Sequence, residues 1–243
     1  MERIANIYRF HHELPFPGMP ATRMPAAFHC LQDEGGLVLI DPFQLPEAEV
    51  AELEALGQPA HVLITNQNHE RGALHYRRHY GARILAHGDL AGSFDFHLDS
   101  AFDHEDPLPG GLTAIHMPGA FKGETIFLHP DEDGSLIVGD AVMNLTLSRY
   151  GVAGAAMRAV GWPEGPGSMP RLLMQNETTA VDSYRRLLAT PFSRILMTHG
   201  TPILADARWT LQKGLLNHRS ILPSSLRRAL SRMTSNVWDL LDI

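Results

Sequence analysis

Residues 62–72 read VLITNQNHERG, and three other segments share their layout. Each is a short apolar run with polar residues at its C-terminal end: LIVGDAV at 136–142, RILMTHG at 194–200, and the run that ends in His116-Met117-Pro118-Gly119. Runs this short and this apolar predict buried strands. In layered α/β folds sites assemble at such strand ends, because loops converge there while the strands hold them rigidly.

The flanking sequence supports that layering. Residues 45–56 predict a helix opened by Pro46 and Glu47 and closed by Gly57. Glu70–Tyr80 predicts a polar helix closed by Gly81, between strands at His61–Thr65 and Arg83–Ala86. Strands follow at Leu112–Met117, Glu124–His129 and Ser135–Val138, the last two joined by the turn Asp131-Glu132-Asp133-Gly134. Thr178–Ala189 predicts a helix with Asn176 as its N-cap, and Arg194–Thr198 a final strand. Ala205–Leu216 and Ser224–Leu241 predict amphipathic helices. His11–Met24 is rich in Pro and Gly, 91–111 reads as an acidic connection, and 151–170 shows no periodicity and predicts a long loop, a lid or a surface insertion.

Composition narrows the class. In 243 residues, 44% are hydrophobic and 19% charged, which fits an ordinary globular chain. No apolar run reaches a membrane-spanning length, and the N-terminal residues lack the apolar stretch of a signal peptide. The expected location is therefore the cytoplasm. A net charge of −7, from 20 basic and 27 acidic residues, argues against nucleic acid or an anionic membrane as partner and leaves a small molecule. The lone Cys30 excludes an intramolecular disulfide, and its apolar strand predicts an inert buried thiol.

The four strand-end motifs, in this order, resemble the metallo-β-lactamase superfamily over roughly residues 4–205. The counterparts are Thr65–Arg71 for its Thr-His-x-His-x-Asp-His loop, His116–Ala120 for His-x-Pro-Gly-His, Gly139-Asp140, and His199-Gly200; the strand ending at Asp41 also fits. The resemblance implies a four-layer αββα sandwich of mixed α/β class, spanning 1–205, with a C-terminal helical extension over 206–243 packed on the same domain or on a second subunit. It also implies metal-dependent hydrolysis at the edge of two sheets.

The departures from the motif shape the chemistry. Asn66, Asn68 and Ala120 stand where the resemblance implies the ligands of a first metal, and alanine is no ligand at all. Glu70, Arg71 and His199 stand at the second metal, with Asp140 between the two. That set is too small for a dinuclear zinc centre. Two arrangements remain. In the favoured one no metal binds, and the Arg71 guanidinium neutralises Asp140 and Glu70 through forked hydrogen bonds. In the other, Glu70, Asp140 and His199 hold one zinc, iron or manganese ion. Asp140 and His199 are the candidate catalytic residues in a pocket formed by Asn66, Asn68, His69, Glu70, Arg71, His116 and Ala120. His69, a spacer in the motif, is expected to face solvent, and Glu124 to start a strand at the surface. Three functions are consistent with this: a divergent hydrolase of an ester, thioester, amide or phosphodiester; a metal-free binding or scaffold protein; or metal-free acid–base chemistry on His199 and Asp140.

Overall fold

The computed structural model describes residues 1–16 and 19–217. The expected helix at Ser224–Leu241 lies outside the described residues. Seven strands form one sheet in chain order: β1 (Glu2–Ile4), β2 (Ile7–Phe16), β3 (Met19–Asp33), β4 (Gly36–Ile40), β5 (Pro59–Ile64), β6 (Arg83–His87) and β7 (Ser100–Phe102). The first four run antiparallel, and from β4 to β7 the strands are parallel. Helices α1 (Glu47–Leu56) and α2 (Ala73–Tyr80) make the crossovers between β4, β5 and β6.

The second sheet holds β8 (Pro107–Leu108), β9 (Leu112–His116), β10 (Thr125–His129), β11 (Ser135–Val138) and β14 (Arg194–Met197) in the order β14-β11-β10-β9-β8. Before β14 come β12 (Val142–Leu145), α3 (Gly151–Ala159), β13 (Gly165–Ser168) and α4 (Glu177–Ala189); α5 (Ala207–Asn217) follows it. Strands β12 and β13 pair with each other.

Burial gives the layers. Val38, Ile40 and Leu63 of the first sheet meet Phe127, Ile137 and Leu196 of the second in one apolar cluster. The other face of the first sheet buries Leu39, Val62 and Ile84 against Leu53 of α1 and Tyr76 of α2. The other face of the second sheet buries Leu136, Val138 and Ile195 against Tyr184 and Leu187 of α4 and Leu211 of α5. The alternation of inward and outward residues on β4 and β11 thus fills three apolar layers between four of structure.

Two segments depart from the sequence reading. In the Pro- and Gly-rich stretch 11–24, residues 11–16 and 19–24 belong to the long strands β2 and β3. The outer part of this β2–β3 hairpin pairs only with itself, as Glu13 with Pro25 and Pro15 with Arg23, so its prolines remove no bond to a third strand. Residues 151–170 contain α3 and β13, not one long loop. Gly154 is required there, because a Cβ at that position would lie 1.9 Å from the Leu147 carbonyl oxygen.

Candidate metal centre and its cavity

At the end of β4 the chain turns through Asp41, whose φ is +52°. Aspartate enters this left-handed region more readily than most residues. The turn aims its carboxylate at the end of β5, where it accepts the Thr65 amide at 2.8 Å and the Thr65 hydroxyl at 2.6 Å. Nδ1 of His69 lies 2.6 Å from the same carboxylate. A carboxylate only accepts, so this nitrogen carries a proton. The His69 amide donates to the Asn66 carbonyl at 3.2 Å, and that tight turn folds the ring inward. His69 is therefore buried, not solvated as its spacer position suggested.

Asp140 follows Gly139 at the end of β11. A Cβ on Gly139 would lie 2.3 Å from Thr65 Oγ1, so only glycine lets the two strand ends approach this closely. Asp140 Oδ2 accepts Asn66 Nδ2 at 3.2 Å and faces His69 Nε2 at 3.3 Å. Asp140 Oδ1 faces His199 Nε2 at 3.3 Å. His199 Nδ1 donates to the Pro25 carbonyl on β3 at 2.9 Å. Both imidazoles thus spend their Nδ1 protons on fixed acceptors and turn Nε2 toward one carboxylate. Beyond its 3.3 Å ion-pair contact with Asp140, His69 Nε2 is buried and meets no acceptor in hydrogen-bond geometry. Ligand atoms of His69, Asp140 and His199 all lie within 4.8 Å of one another.

The charges follow from burial and proximity. Burial alone would lower the His69 pKa, but the Asp140 and Asp41 carboxylates reverse this and raise it to about 10. Burial would raise the Asp140 carboxyl, yet the His69 charge and the contact with His199 hold it well below the usual range. Glu124 goes the other way: burial, then the Asp140 charge, push it well above. It is fully buried rather than at the surface. Its Oε2 accepts Asn66 Nδ2 at 2.9 Å, and its Oε1 accepts the Ala141 amide at 2.8 Å.

The other expected site residues separate. Glu70 is half-buried, its Oε2 has no hydrogen-bond partner, and it does not join the ligand group in which it was expected. Arg71 is exposed and makes no ion pair with Asp140 or Glu70, so the guanidinium does not replace a metal between them. Asp140 meets His69 instead, whose ring lies between Asp140 and Asp41. Ala120 is buried in the apolar layer under α4, and His116 stacks on His87 with ring centroids 3.6 Å apart. His116, His87 and Asp89 form a second close group, but His87 Nδ1 there already accepts the Asp89 amide at 3.1 Å.

A cavity of about 340 Å³ opens onto Asp140 and His199. Asn68 and Arg71 supply the rest of its polar lining. Its apolar wall comes from Leu14, Pro15, Met24 and Ala26 on the β2–β3 hairpin, and from Phe121, Met143, Trp162 and Leu173. Asn66, His69 and Glu124 lie behind this surface.

Residues 27–153, just over half the chain, match the sequence profile of the metallo-beta-lactamase superfamily. The chain belongs to that superfamily. Solved structures agree on the fold. The metallo-beta-lactamase family protein TTHA1429 from Thermus thermophilus is 16% identical, with a TM-score of 0.59 over 99% of this chain and 84% of its own. A metallo-beta-lactamase from Pontibacter korlensis is 14% identical, with a TM-score of 0.62 over 90% and 98%. TTHA1623, solved in a di-iron-bound form, is 19% identical, with a TM-score of 0.55 over 85% and 98%. No curated protein sequence matches the chain. Sequence reasoning on this superfamily member missed the roles of His69, Glu124 and Asp41. An acidic residue straight after the apolar run 37–40 was the visible signal for Asp41.

Proposed function

We propose that this superfamily member is a hydrolase of an ester, thioester or phosphodiester that works with one divalent metal ion, held by His69, Asp140 and His199. The observation that carries the reading is the pair of histidines with Nδ1 committed to Asp41 and Pro25 and Nε2 turned to Asp140. Two histidines and a carboxylate suit zinc or iron, and an outer carboxylate on a ligating histidine fixes its tautomer and strengthens it as a donor. His69 Nε2 is buried with Asp140 at 3.3 Å and no other polar neighbour in hydrogen-bond geometry, which leaves it placed to share a cation with that carboxylate.

The family's first metal has no counterpart on this reading. Asn66 spans Glu124 and Asp140 with its amide, and Ala120 faces apolar core. A bound cation supplies Lewis acidity to a carbonyl or phosphoryl oxygen and lowers the pKa of water. The chain's own residues do the positioning. Asp41 holds the His69 ring, Pro25 holds His199, and Asn66 holds the Asp140 carboxylate. The apolar cavity wall excludes bulk water from the substrate.

Elemental mass spectrometry on protein purified without a metal-affinity tag tests this. Wild type is expected to carry close to one equivalent of metal, lost in His69→Ala and Asp140→Ala and kept in Glu70→Ala. A wild type free of metal after incubation with zinc would overturn the reading. It would leave a charged His69 balancing two carboxylates in a non-catalytic small-molecule-binding protein.

A further inference from the structure

The cavity has a chemical polarity of its own. Its lining joins an apolar set that includes Met24, Phe121, Met143 and Trp162 to the polar side chains of Arg71 and Asn68. Arg71 is exposed in the cavity wall and forms no ion pair among the described residues. Asn68 Nδ2 is buried and has no hydrogen-bond partner. The Asp140 carboxylate beside them already faces two imidazoles, so it does not need this guanidinium. An uncommitted guanidinium and an uncommitted amide donor in the lining of a largely apolar cavity suit an oxyanion attached to an apolar chain.

We propose that the cavity binds an amphipathic anion, with its carboxylate or phosphate on Arg71 and Asn68 and its hydrocarbon part against Phe121, Met143 and Trp162. This names the substrate class for the hydrolysis proposed above, and only the bond-breaking step after binding rests on that reading. The binding itself needs no metal. Arg71 occupies a position that the superfamily motif gives to a metal ligand, so anion recognition sits beside the His69 group.

Isothermal titration of the full chain, after treatment with EDTA, tests the proposal with decanoate, decyl phosphate, decanol and decyltrimethylammonium below their micelle concentrations. At least one anion is expected to bind roughly tenfold more tightly than decanol, and the cation more weakly than either. The tighter of the two anions identifies the headgroup. Arg71→Gln is expected to lose about that tenfold preference while leaving decanol binding unchanged, and Arg71→Lys to restore part of it. Asn68→Ala should weaken anion binding by a few-fold. Equal binding of decanol and both anions, no binding of any of the four, or unchanged anion binding in Arg71→Gln overturns the proposal. Because these titrations use metal-free protein, anion binding without metal in the mass-spectrometry experiment would sink the hydrolase reading alone.

Discussion

At the scale of single residues, two positions of one loop divide the work. His69 lies buried between two carboxylates, whereas Arg71, two residues on, is exposed. Removing one partner from a buried ion pair typically costs about 3–5 kcal/mol, because the other charges remain buried and uncompensated. In metal-free protein, His69→Ala is therefore expected to lose about that much in urea unfolding. Arg71→Ala should change stability by no more than ~0.5 kcal/mol. A guanidinium that replaced the metal would give the reverse order. His29 makes one contribution to the pH dependence of stability. It is fully buried, neither ring nitrogen has a partner, and burial followed by the Arg9 charge lowers its pKa to about 3. The unfolded ring takes its proton near 6.5. Between those values the unfolded chain binds more protons, so this contribution is complete above pH 6.5 and is lost as the pH falls toward 3. His29→Leu is expected to flatten the fall of the urea midpoint across that window, as followed by circular dichroism at several pH values.

At the scale of elements, the sequence was most legible where periodicity and end signals agreed. The turn 131–134 joins β10 to β11 as read, with Glu132, Asp133 and Gly134 all at positive φ. The Asn176 side chain accepts the Thr179 amide at 3.0 Å and caps α4. Asn176→Ala is expected to cost about 1 kcal/mol by thermal or urea unfolding, with the cavity unaffected. Legibility failed where tertiary contacts overrode composition. Prolines in 11–24 suggest a loop, but a ribbon whose outer part pairs only with itself tolerates them. The stretch 151–159 carries two glycines, which suggest a loop, but its four alanines, Met157 and Arg158 are good helix formers, and it closes as α3 with Met157 packed against Met143 and Leu145. Residues 65–71 follow directly on β5, as read. Which of its residues turns inward depended on Asp41, which is distant in sequence.

At the scale of the whole molecule, the site is where the two sheets are tied together. The Ala27 amide on β3 donates to the Thr198 carbonyl after β14 at 2.8 Å, and the Thr125 amide on β10 donates to the Thr65 carbonyl after β5 at 2.8 Å. His199 comes from the second sheet and its acceptor Pro25 from the first. A cation held by His69 and His199 would add a third tie across this seam, and any ligand bound only by the folded state stabilises it by mass action. At a hundredfold excess over its dissociation constant the gain is about 2.7 kcal/mol. For a chain of this length each kcal/mol raises Tm by roughly 2–4 °C. Zinc is therefore expected to raise the wild-type Tm by roughly 5–10 °C, EDTA to reverse the rise, and Asp140→Ala to show neither effect. Differential scanning fluorimetry checks this. An equal rise in Asp140→Ala would move the binding away from the seam, toward another group such as His87, Asp89 and His116, and would remove the single-metal centre as the basis of any activity.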